Sequence, residues 1–419
     1  MGFKQLWMDT KLNVLFILKW LCISIVMGCV CGVVGALFYQ CVNAVTQFRI
    51  THSWIIYFLP IGGLLIVYLY HSVKLDNEPG TNTIIQSVRQ QDHVPVLLAP
   101  AIFLATVITH LVGGSSGREG AALQIGGSLA TSIGKVIHAD EKEMSILIMC
   151  GMSAVFSALF GLPLTATLFS MEVVSVGIFY YAAFIPCLCS SLISVKIAEL
   201  MGAKGESFQL QSVFHMTISS FLQLVLFAIV IAAFSIIFVL MLHYGHSLFQ
   251  KYFANRYQRV IVGSLILLVL VFLFGKDYLG AGMNIVENAI YHQVRPYDFF
   301  LKALFTAITI GCGFKGGEIV PTFFIGATLG YIVGLLIGID PHIGAALGLV
   351  GMFCCVINSP VTSLILGVEM FGSTSLLAFA VVVAFCYVLS GYFSLYQAQK
   401  IVYSKTSPEF INKNANDFK

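Results

Sequence analysis

The chain has 419 residues, of which 58% are hydrophobic and only 10% are charged, with a formal net charge of +3. Soluble proteins carry about 25% charged residues. A folded core cannot absorb this much apolar surface, whereas a lipid bilayer can. The composition excludes an ordinary soluble protein, gives no reason to expect a nucleic-acid partner, and indicates an all-α polytopic membrane protein.

Apolar segments follow one another along the whole chain. The first, residues 12–46, is longer than the roughly 20 residues of a perpendicular span, so we expect it to be tilted or broken. Many later segments are too short or too glycine-rich to cross a bilayer unaided. Short helices that end within the membrane are tolerated only where their ends line a protected polar cavity. Runs without Asp, Glu, Lys or Arg are residues 144–171, 207–250, 319–339, 341–368 and 370–399.

A charged pair, Arg118 and Glu119, interrupts this apolar chain between Gly117 and Gly120. A buried carboxylate is expensive within a membrane and by default marks an ion or proton path. The glycines leave backbone N–H groups free to point at an anion, and a helix that starts near Gly120 would add its positive dipole end. The plainer interpretation is a helix-capping glutamate paired with Arg118.

The segment around Glu119 occurs twice. Residues 117–129 read GREGAALQIGGSL, and residues 317–329 read GEIVPTFFIGATL; the two segments share Gly, Ile, Gly and Leu at 117/317, 125/325, 126/326 and 129/329, each at an offset of 200. A second echo relates residues 163–172 to residues 360–369 at an offset of 197. Many transporters build a midplane ion site from such duplicated halves. We predict one half over residues 1–210, a second over 211–400, and a short cytoplasmic tail over 401–419.

Both ends of the chain are rich in lysine. By the positive-inside rule, both termini should therefore face the cytoplasm. The number of spans is then even, each half holds an odd number, and the two halves must be inverted relative to one another. The absence of a regulatory cytoplasmic domain suits a bacterial plasma membrane. The lysines are Lys4, Lys11 and Lys19 at one end and Lys400, Lys405, Lys413 and Lys419 at the other.

These motifs resemble the CLC family of chloride channels and anion/proton antiporters. Residues 113–126 are similar to the family's G-x-E-G-P region, residues 316–321 to its G-G-x-F-x-P segment, and residues 394–396 to the helix that brings a tyrosine to the central anion. The resemblance covers most of the chain in order. It implies a homodimer with one pathway per subunit and no cofactor, and it makes Glu119 the gating glutamate that exchanges with anions and carries protons. The anion contacts that it implies are Gly117, Arg118, Gly120, Ile319, Val320 and Tyr396.

Several departures from the family pattern are informative. The family's first anion-binding motif, G-S-G-I-P, corresponds here to residues 78–82, so that Pro79 replaces the anion-binding serine and the candidate ligands are Gly80, Thr81 and Asn82. The inner proton-relay glutamate of chloride/proton antiporters, one position after Glu172, is Val173.

Glu318 stands where ordinary members of the family carry an apolar residue. Together, the lost serine, the lost inner glutamate and the added Glu318 resemble the fluoride/proton antiporter branch. Fluoride is small and strongly hydrated, so it needs strong donors close by. A protonated Glu318 could donate a hydrogen bond to fluoride, and once ionised it could pass a proton onward.

We therefore predict proton-coupled antiport of a halide, with fluoride favoured over chloride. Two alternatives stay open: a passive, voltage-dependent chloride channel of the same fold, and more distantly a cation-coupled organic-solute transporter with inverted repeats. Tyr396 could also be an interfacial tyrosine, and Glu172 and Glu369 are expected to cap helices or to contact the cytoplasmic vestibule rather than to act directly in transport. We expect no enzyme, because the chain lacks an HExxH motif, paired intramembrane Asp residues and a GxSxG motif with a credible base. We also expect no metal, since the eleven cysteines show no CxxC spacing.

Overall fold

The computed structural model describes residues 3–90 and 94–417, and within them it contains sixteen α-helices and three short strands. The first eight helices are α1 (Phe3–Thr51), α2 (Leu59–Ser72), α3 (Thr81–Gln90), α4 (Leu98–Val112), α5 (Glu119–Val136), α6 (Glu141–Phe160), α7 (Pro163–Glu172) and α8 (Phe184–Leu200). The next eight are α9 (Ile218–Tyr252), α10 (Arg256–Phe274), α11 (Met283–Tyr291), α12 (Asp298–Cys312), α13 (Ile319–Ile337), α14 (Pro341–Ile357), α15 (Pro360–Phe371) and α16 (Leu376–Leu389). Short 3-10 helices cover Ser53–Phe58 and Tyr181–Ala183.

The helices have the lengths and surfaces of a membrane protein. Seven helical segments in the described part of the chain are long and apolar enough to cross a bilayer. Four further apolar helices of 10–17 residues are shorter than a full span. Large apolar side chains stand on the surface, among them Phe272 of α10, which is 89% exposed. Lipid is the solvent that such a surface requires.

The first apolar segment is one unbroken helix. We expected it to be tilted or broken; it is not broken, because α1 is a single helix of 49 residues. At about 1.5 Å per residue it is about 74 Å long, more than twice the hydrocarbon thickness of a bilayer. Gly28, Gly32 and Gly35 do not break it, because each fits closely against a neighbouring helix: Gly28 and Gly32 against α8, and Gly35 against α6.

The repeat predicted from the sequence is present in the order of the helices. Helices α4, α5 and α6 start 200 residues before α12, α13 and α14, and α7 starts 197 residues before α15. The two halves meet where Gly117 and Gly317 form an antiparallel bridge. The N–H of Gly117 donates to the carbonyl of Gly317 at 2.7 Å, and the N–H of Gly317 donates back at 2.9 Å. An exchange of this kind between equivalent residues is what an inverted repeat produces.

Matching glycine contacts hold equivalent helix pairs together. A Cβ placed on Gly126 of α5 would overlap the carbonyl oxygen of Gly151 of α6. In the second half, a Cβ on Gly330 of α13 would overlap the carbonyl oxygen of Gly344 of α14. Small residues allow helix backbones to approach this closely within a membrane. The helices that carry the duplicated motif are therefore each fixed against the helix that follows.

The end of the chain is ordered, which the all-α prediction missed. Strands β1 (Ser175–Val176), β2 (Lys400–Tyr403) and β3 (Phe410–Asn414) form a sheet in that order, with β1 parallel to β2 and β2 antiparallel to β3. Val176, Ile401 and Ala415 bury their side chains together. The segment that we predicted as a short cytoplasmic tail thus pairs, through β2, with strand β1 of the first half of the molecule.

Tyr396 does not lie in a helix, which corrects the expectation drawn from the family pattern. Backbone N–H groups in this segment donate to acceptors other than the carbonyl four residues earlier, so the regular helical ladder does not form. Leu395 N–H donates to the carbonyl of Val356 at 2.9 Å, and Tyr396 N–H donates to the hydroxyl of Ser394 at 3.1 Å. Tyr396 therefore lies in a loop, which we call the Tyr396 loop (residues 391–399).

Candidate ion-binding site

Two helix N-termini point at the same place in the centre of the molecule. Helix α5 begins at Glu119 and α13 begins at Ile319, and both follow directly from the Gly117–Gly317 bridge. The first turn of a helix leaves backbone N–H groups without intrahelical partners, and the helix dipole adds partial positive charge there. The duplicated motif thus builds a paired anion-binding position.

The carboxylate of Glu119 fills that position. Its side chain is fully buried. Oε1 accepts the backbone N–H of Val320 at 3.0 Å, and Oε2 accepts the backbone N–H of Arg118 at 2.7 Å. A Cβ on either Gly117 or Gly317 would overlap the carboxylate, so the two glycines leave the room that it occupies.

A cavity of about 600 Å³ opens on one side of this position. We call it the Tyr396 vestibule; Tyr396, Glu318 and Asn82 lie in its wall. The hydroxyl groups of Tyr396 and Tyr70 are buried in this wall, and neither has a hydrogen-bond partner among the described residues. Two unpaired phenol donors in one wall are a natural site for an anion or water.

A second cavity, of about 490 Å³, lies in a different part of the molecule. We call it the Arg118 vestibule; Arg118, Arg49 and Val320 line it. Val320 lines this cavity, whereas Glu318, two residues earlier, lines the Tyr396 vestibule. Glu119 lines neither cavity and is bonded to the N–H of Val320. Its carboxylate therefore lies at a junction between two polar cavities, between residues that line the Arg118 vestibule and residues that line the Tyr396 vestibule.

Comparison with known sequences assigns this architecture. The family described as "Voltage gated chloride channel" matches residues 62–391. The chain belongs to the CLC family. A "Chloride/fluoride channel protein" of Pseudomonas syringae pv. tomato is 30% identical to this CLC chain over 398 residues, which cover 93% of this chain and 88% of that protein.

Solved structures agree with this assignment. The crystal structure of a CLC-type fluoride/proton antiporter is 32% identical to this CLC chain, with a TM-score of 0.88 over 91% of this chain and 98% of the other. The structure of a slow cyanobacterial Cl⁻/H⁺ antiporter is 20% identical, with a TM-score of 0.76 over 89% of this chain and 94% of the other. The second likeness establishes the shared fold alone.

Within this CLC chain, the segment that replaces the family's serine motif lies at the start of α3. Gly80 has a positive φ of 70°, and it leads into Thr81 in the wall of the Tyr396 vestibule. A Cβ on Gly120 would lie 3.2 Å from the Thr81 hydroxyl, which places that hydroxyl beside the start of α5. The start of α3 and the start of α5 therefore adjoin.

The side chain of Asn82 supports the Tyr396 loop as well as lining the vestibule, which the sequence did not indicate. Its side-chain oxygen accepts the N–H of Ala398 at 2.9 Å, and its amide group makes a long hydrogen bond of 3.4 Å to the carbonyl of Pro79. The guanidinium of Arg89 donates to the carbonyl of Ala398 at 2.6 Å. Helix α3 thus binds both the N–H and the carbonyl of Ala398 in the Tyr396 loop, while Asn82 also lines the vestibule.

The plain interpretation of Glu119 as the ion-pair partner of Arg118 is not what the structure contains. The Arg118 guanidinium pairs with Glu206 at 3.0 Å. It also lies over the rings of Tyr39 and Phe160, at 4.8 Å and 5.4 Å from their centres. Only the backbone N–H of Arg118 meets the carboxylate of Glu119, so the arginine side chain serves the Arg118 vestibule.

Glu172 and Glu369 cap helices, as expected, but each caps a helix of the other half. The Glu172 carboxylate accepts the N–H groups of Val361 and Thr362 at the start of α15, at 3.1 Å and 2.8 Å. The Glu369 carboxylate accepts the N–H groups of Leu164 and Thr165 at the start of α7, at 3.0 Å and 2.7 Å. The exchange satisfies donors that would otherwise be unpaired.

Buried cations near the Arg118 vestibule were missed by the sequence analysis. Lys302 is fully buried, and its ammonium donates to the carbonyls of Gly280 at 2.6 Å and Tyr278 at 3.1 Å. Arg49 donates to the carbonyl of His110 at 2.8 Å. A single lysine within the apolar run of α12 was the available signal, because a charge at such a position needs a functional or structural reason.

Proposed function

We propose that this protein exchanges halide ions for protons across a plasma membrane, with fluoride favoured over chloride. The observation that carries the proposal is the Glu119 carboxylate, bound to the N–H of Val320 at a junction between two polar cavities. A carboxylate can be replaced at that N–H by a halide ion, and it can leave with a proton attached. Both exchanges then use one position.

The proposed cycle follows from charge. When Glu119 is ionised, it fills the positive position at the starts of α5 and α13 and excludes other anions. Protonation removes its negative charge, so its hydrogen bonds to the two N–H groups weaken and an anion can take its place. When the acid later loses its proton, the carboxylate returns and expels the anion. Protons and anions are thereby coupled without an ion-pair partner for Glu119.

Each predicted site residue has a part in this proposal. Glu119 gates, and Glu318 exchanges protons with it and donates to the anion when protonated. Tyr396 donates its unpaired hydroxyl from the vestibule wall. Backbone groups or short polar side chains contribute at the other positions, which are Gly80, Thr81, Asn82, Gly117, Arg118, Gly120, Ile319 and Val320.

Three lines of support favour fluoride. The vestibule wall offers compact oxygen donors, the hydroxyl of Tyr396 and the carboxyl group of Glu318 when protonated. The Pseudomonas syringae relative is named for both chloride and fluoride. The structure at 32% identity is that of a fluoride/proton antiporter. A strongly hydrated ion gives up its water only to donors that are close and strong, which a hydroxyl or a protonated carboxyl provides.

We further propose that the protein is a homodimer with both termini in the cytoplasm. The lysine-rich segment that carries β2 and β3 follows directly after the Tyr396 loop, which makes the Tyr396 vestibule the cytoplasmic mouth by the positive-inside rule. Labelling of single cysteines introduced at exposed positions of this segment, in intact cells and in inverted vesicles, tests the orientation. Cross-linking in native membranes tests the dimer.

The deciding experiment is efflux from proteoliposomes, recorded with fluoride, chloride and pH electrodes together. The proposal requires fluoride efflux that drives proton uptake, with chloride nearly inert. Brisk chloride exchange with protons would make chloride the substrate and leave Glu318 without its proposed purpose. Fluoride or chloride flux that reverses at the Nernst potential, indifferent to the proton gradient, would make the protein a passive channel.

A further inference from the structure

Two glutamates and a lysine lie in the wall of the Tyr396 vestibule, away from Glu119. Glu78, Lys315 and Glu318 all line this cavity. The Lys315 ammonium interacts electrostatically with both carboxylates, and Glu318 interacts in turn with Glu119. Three carboxylates and one ammonium therefore form a sequence of charges that runs from the cavity wall to the central position.

Tyr70 fixes the position of the ammonium. Lys315 Nζ lies 4.5 Å from the centre of the Tyr70 ring, an arrangement in which the ring face attracts the cation. The Tyr70 hydroxyl is buried and has no hydrogen-bond partner among the described residues. An unpaired hydroxyl in a polar cavity of this size is suited to hold water, which can carry protons between carboxyl groups that do not touch.

Glu78 occupies the outermost place in this sequence of charges. It is half-buried and lies just before α3, where the hydroxyl of Thr83 is hydrogen-bonded to its carboxylate. One ammonium shared by two carboxylates leaves one negative charge uncompensated, so the pair takes up a proton readily. When either carboxyl group is protonated, Lys315 still neutralises the other.

The aspartate, histidine and arginine side chains in the wall have partners of their own. Asp76 pairs with Arg256 and with His71. His243 bonds to the carbonyl of Ser394 at 2.9 Å, and Arg259 donates to the carbonyl of Phe253 at 3.2 Å. The full set around the cavity is Tyr70, Asp76, Glu78, His243, His246, Arg256, Arg259, Lys315, Glu318 and Tyr396.

We propose that Glu78 is the carboxylate through which protons enter and leave the Tyr396 vestibule on their way to Glu318. A proton binds to the Glu78 carboxylate from water outside, passes through vestibule water to Glu318, and reaches Glu119, while Glu78 returns to its ionised form. The net step moves one proton and breaks no covalent bond other than O–H. The proposal rests on the proton-coupled function proposed above.

The test compares Glu78→Gln with Glu78→Asp in proteoliposomes, with fluoride and proton fluxes recorded together over the acid-to-neutral range. The amide keeps the shape but cannot carry a proton, so we expect proton flux to fall by about tenfold or more. The residual flux should also lose its pH dependence. The aspartate variant should keep the wild-type pH profile. Asp76→Asn, which removes a carboxylate of the same wall that is paired with Arg256, is the matched control and should behave as wild type.

Binding separates proton entry from damage to the anion site. Calorimetric titration of the detergent-purified Glu78→Gln protein with fluoride should give the wild-type affinity, which also reports that the variant is folded. Loss of fluoride binding in both Glu78 variants would make Glu78 a structural support and overturn the proposal. Wild-type rates and pH profile in Glu78→Gln would overturn it equally. If wild-type flux ignores the proton gradient, the proposed function fails as well.

Discussion

The carboxylate of Glu119 accepts the backbone N–H of Val320 across 201 residues of sequence. The bond joins the first residue of α5, in the first copy of the duplicated motif, to the start of α13, in the second copy. A single side chain therefore occupies the position that both copies of the motif create. Replacing or protonating this one group should alter anion and proton movement together.

The first prediction concerns Glu119→Gln. The amide cannot ionise, so it can neither carry a proton nor be expelled and returned by a change in charge. We expect proton flux to fall by about 100-fold or more. Fluoride and pH electrodes on proteoliposomes measure it. Glu409→Gln, at an exposed position of the tail, is the control. Retention of coupled flux with normal stoichiometry would show that Glu119 is not the gate.

The second prediction concerns the unpaired hydroxyl of Tyr396. Because this hydroxyl has no partner among the described residues, Tyr396→Phe should leave the melting temperature unchanged. If the hydroxyl donates to the anion, fluoride affinity should fall by about 1 kcal/mol, roughly fivefold. Tyr278→Phe is the converse control, since the Tyr278 hydroxyl donates to Asp298 at 2.7 Å. That variant should melt at a lower temperature. Unchanged fluoride affinity in Tyr396→Phe would remove this residue from the anion site.

The third prediction separates helix capping from transport. Glu172→Ala removes the acceptor for the first N–H groups of α15, and Glu369→Ala does the same for α7. Each loss of a cap should lower the free energy of unfolding by about 1–2 kcal/mol. The ratio of protons to fluoride should not change, because neither residue lines either vestibule. Thermal unfolding in detergent and flux ratios in liposomes are the two measurements. A changed ratio would give these glutamates a transport role after all.

The fourth prediction concerns helix contact in the second half. In Gly330→Ala, the new methyl group would overlap the carbonyl oxygen of Gly344, so α13 and α14 must separate. Such overpacking costs about 1–3 kcal/mol. In Gly334→Ala, on the same helix, the nearest atom lies 3.3 Å from the added Cβ, and the effect should be smaller. Equal melting temperatures of the two variants would contradict the packing argument.

Much of the fold was predictable because charges are rare and costly within a membrane and because the glycine-containing motif occurs twice. The offset of 200 residues identified helices α5 and α13 as equivalent, and the isolated Glu119 identified the central position. The partners of individual side chains were less predictable. Nothing in the sequence indicates that Arg118 pairs with Glu206 rather than Glu119, since both glutamates are within reach of a long side chain until the backbone is fixed.

The end of the chain was the least predictable part. Residues 400–414 have neither the apolar run of a membrane helix nor a strict alternation, and their partner strand β1 has only two residues. Pairing of this kind depends on where α7 ends, which only the assembled helices determine. The conformation of the Tyr396 loop has the same origin, because the N–H groups of Leu395 and Ala398 donate to Val356 and Asn82, which lie far away in sequence.

The hydrogen bond from Ala398 to Asn82 has a consequence for how the protein is made. It joins a segment that follows every transmembrane helix to a helix from the first quarter of the chain. A ribosome must therefore deliver all sixteen helices to the membrane before Tyr396 can take its place. Until that moment the cavity lacks the part of its wall that Leu395, Tyr396 and Gln397 provide, so we expect a chain truncated before this loop to be unable to carry out coupled transport.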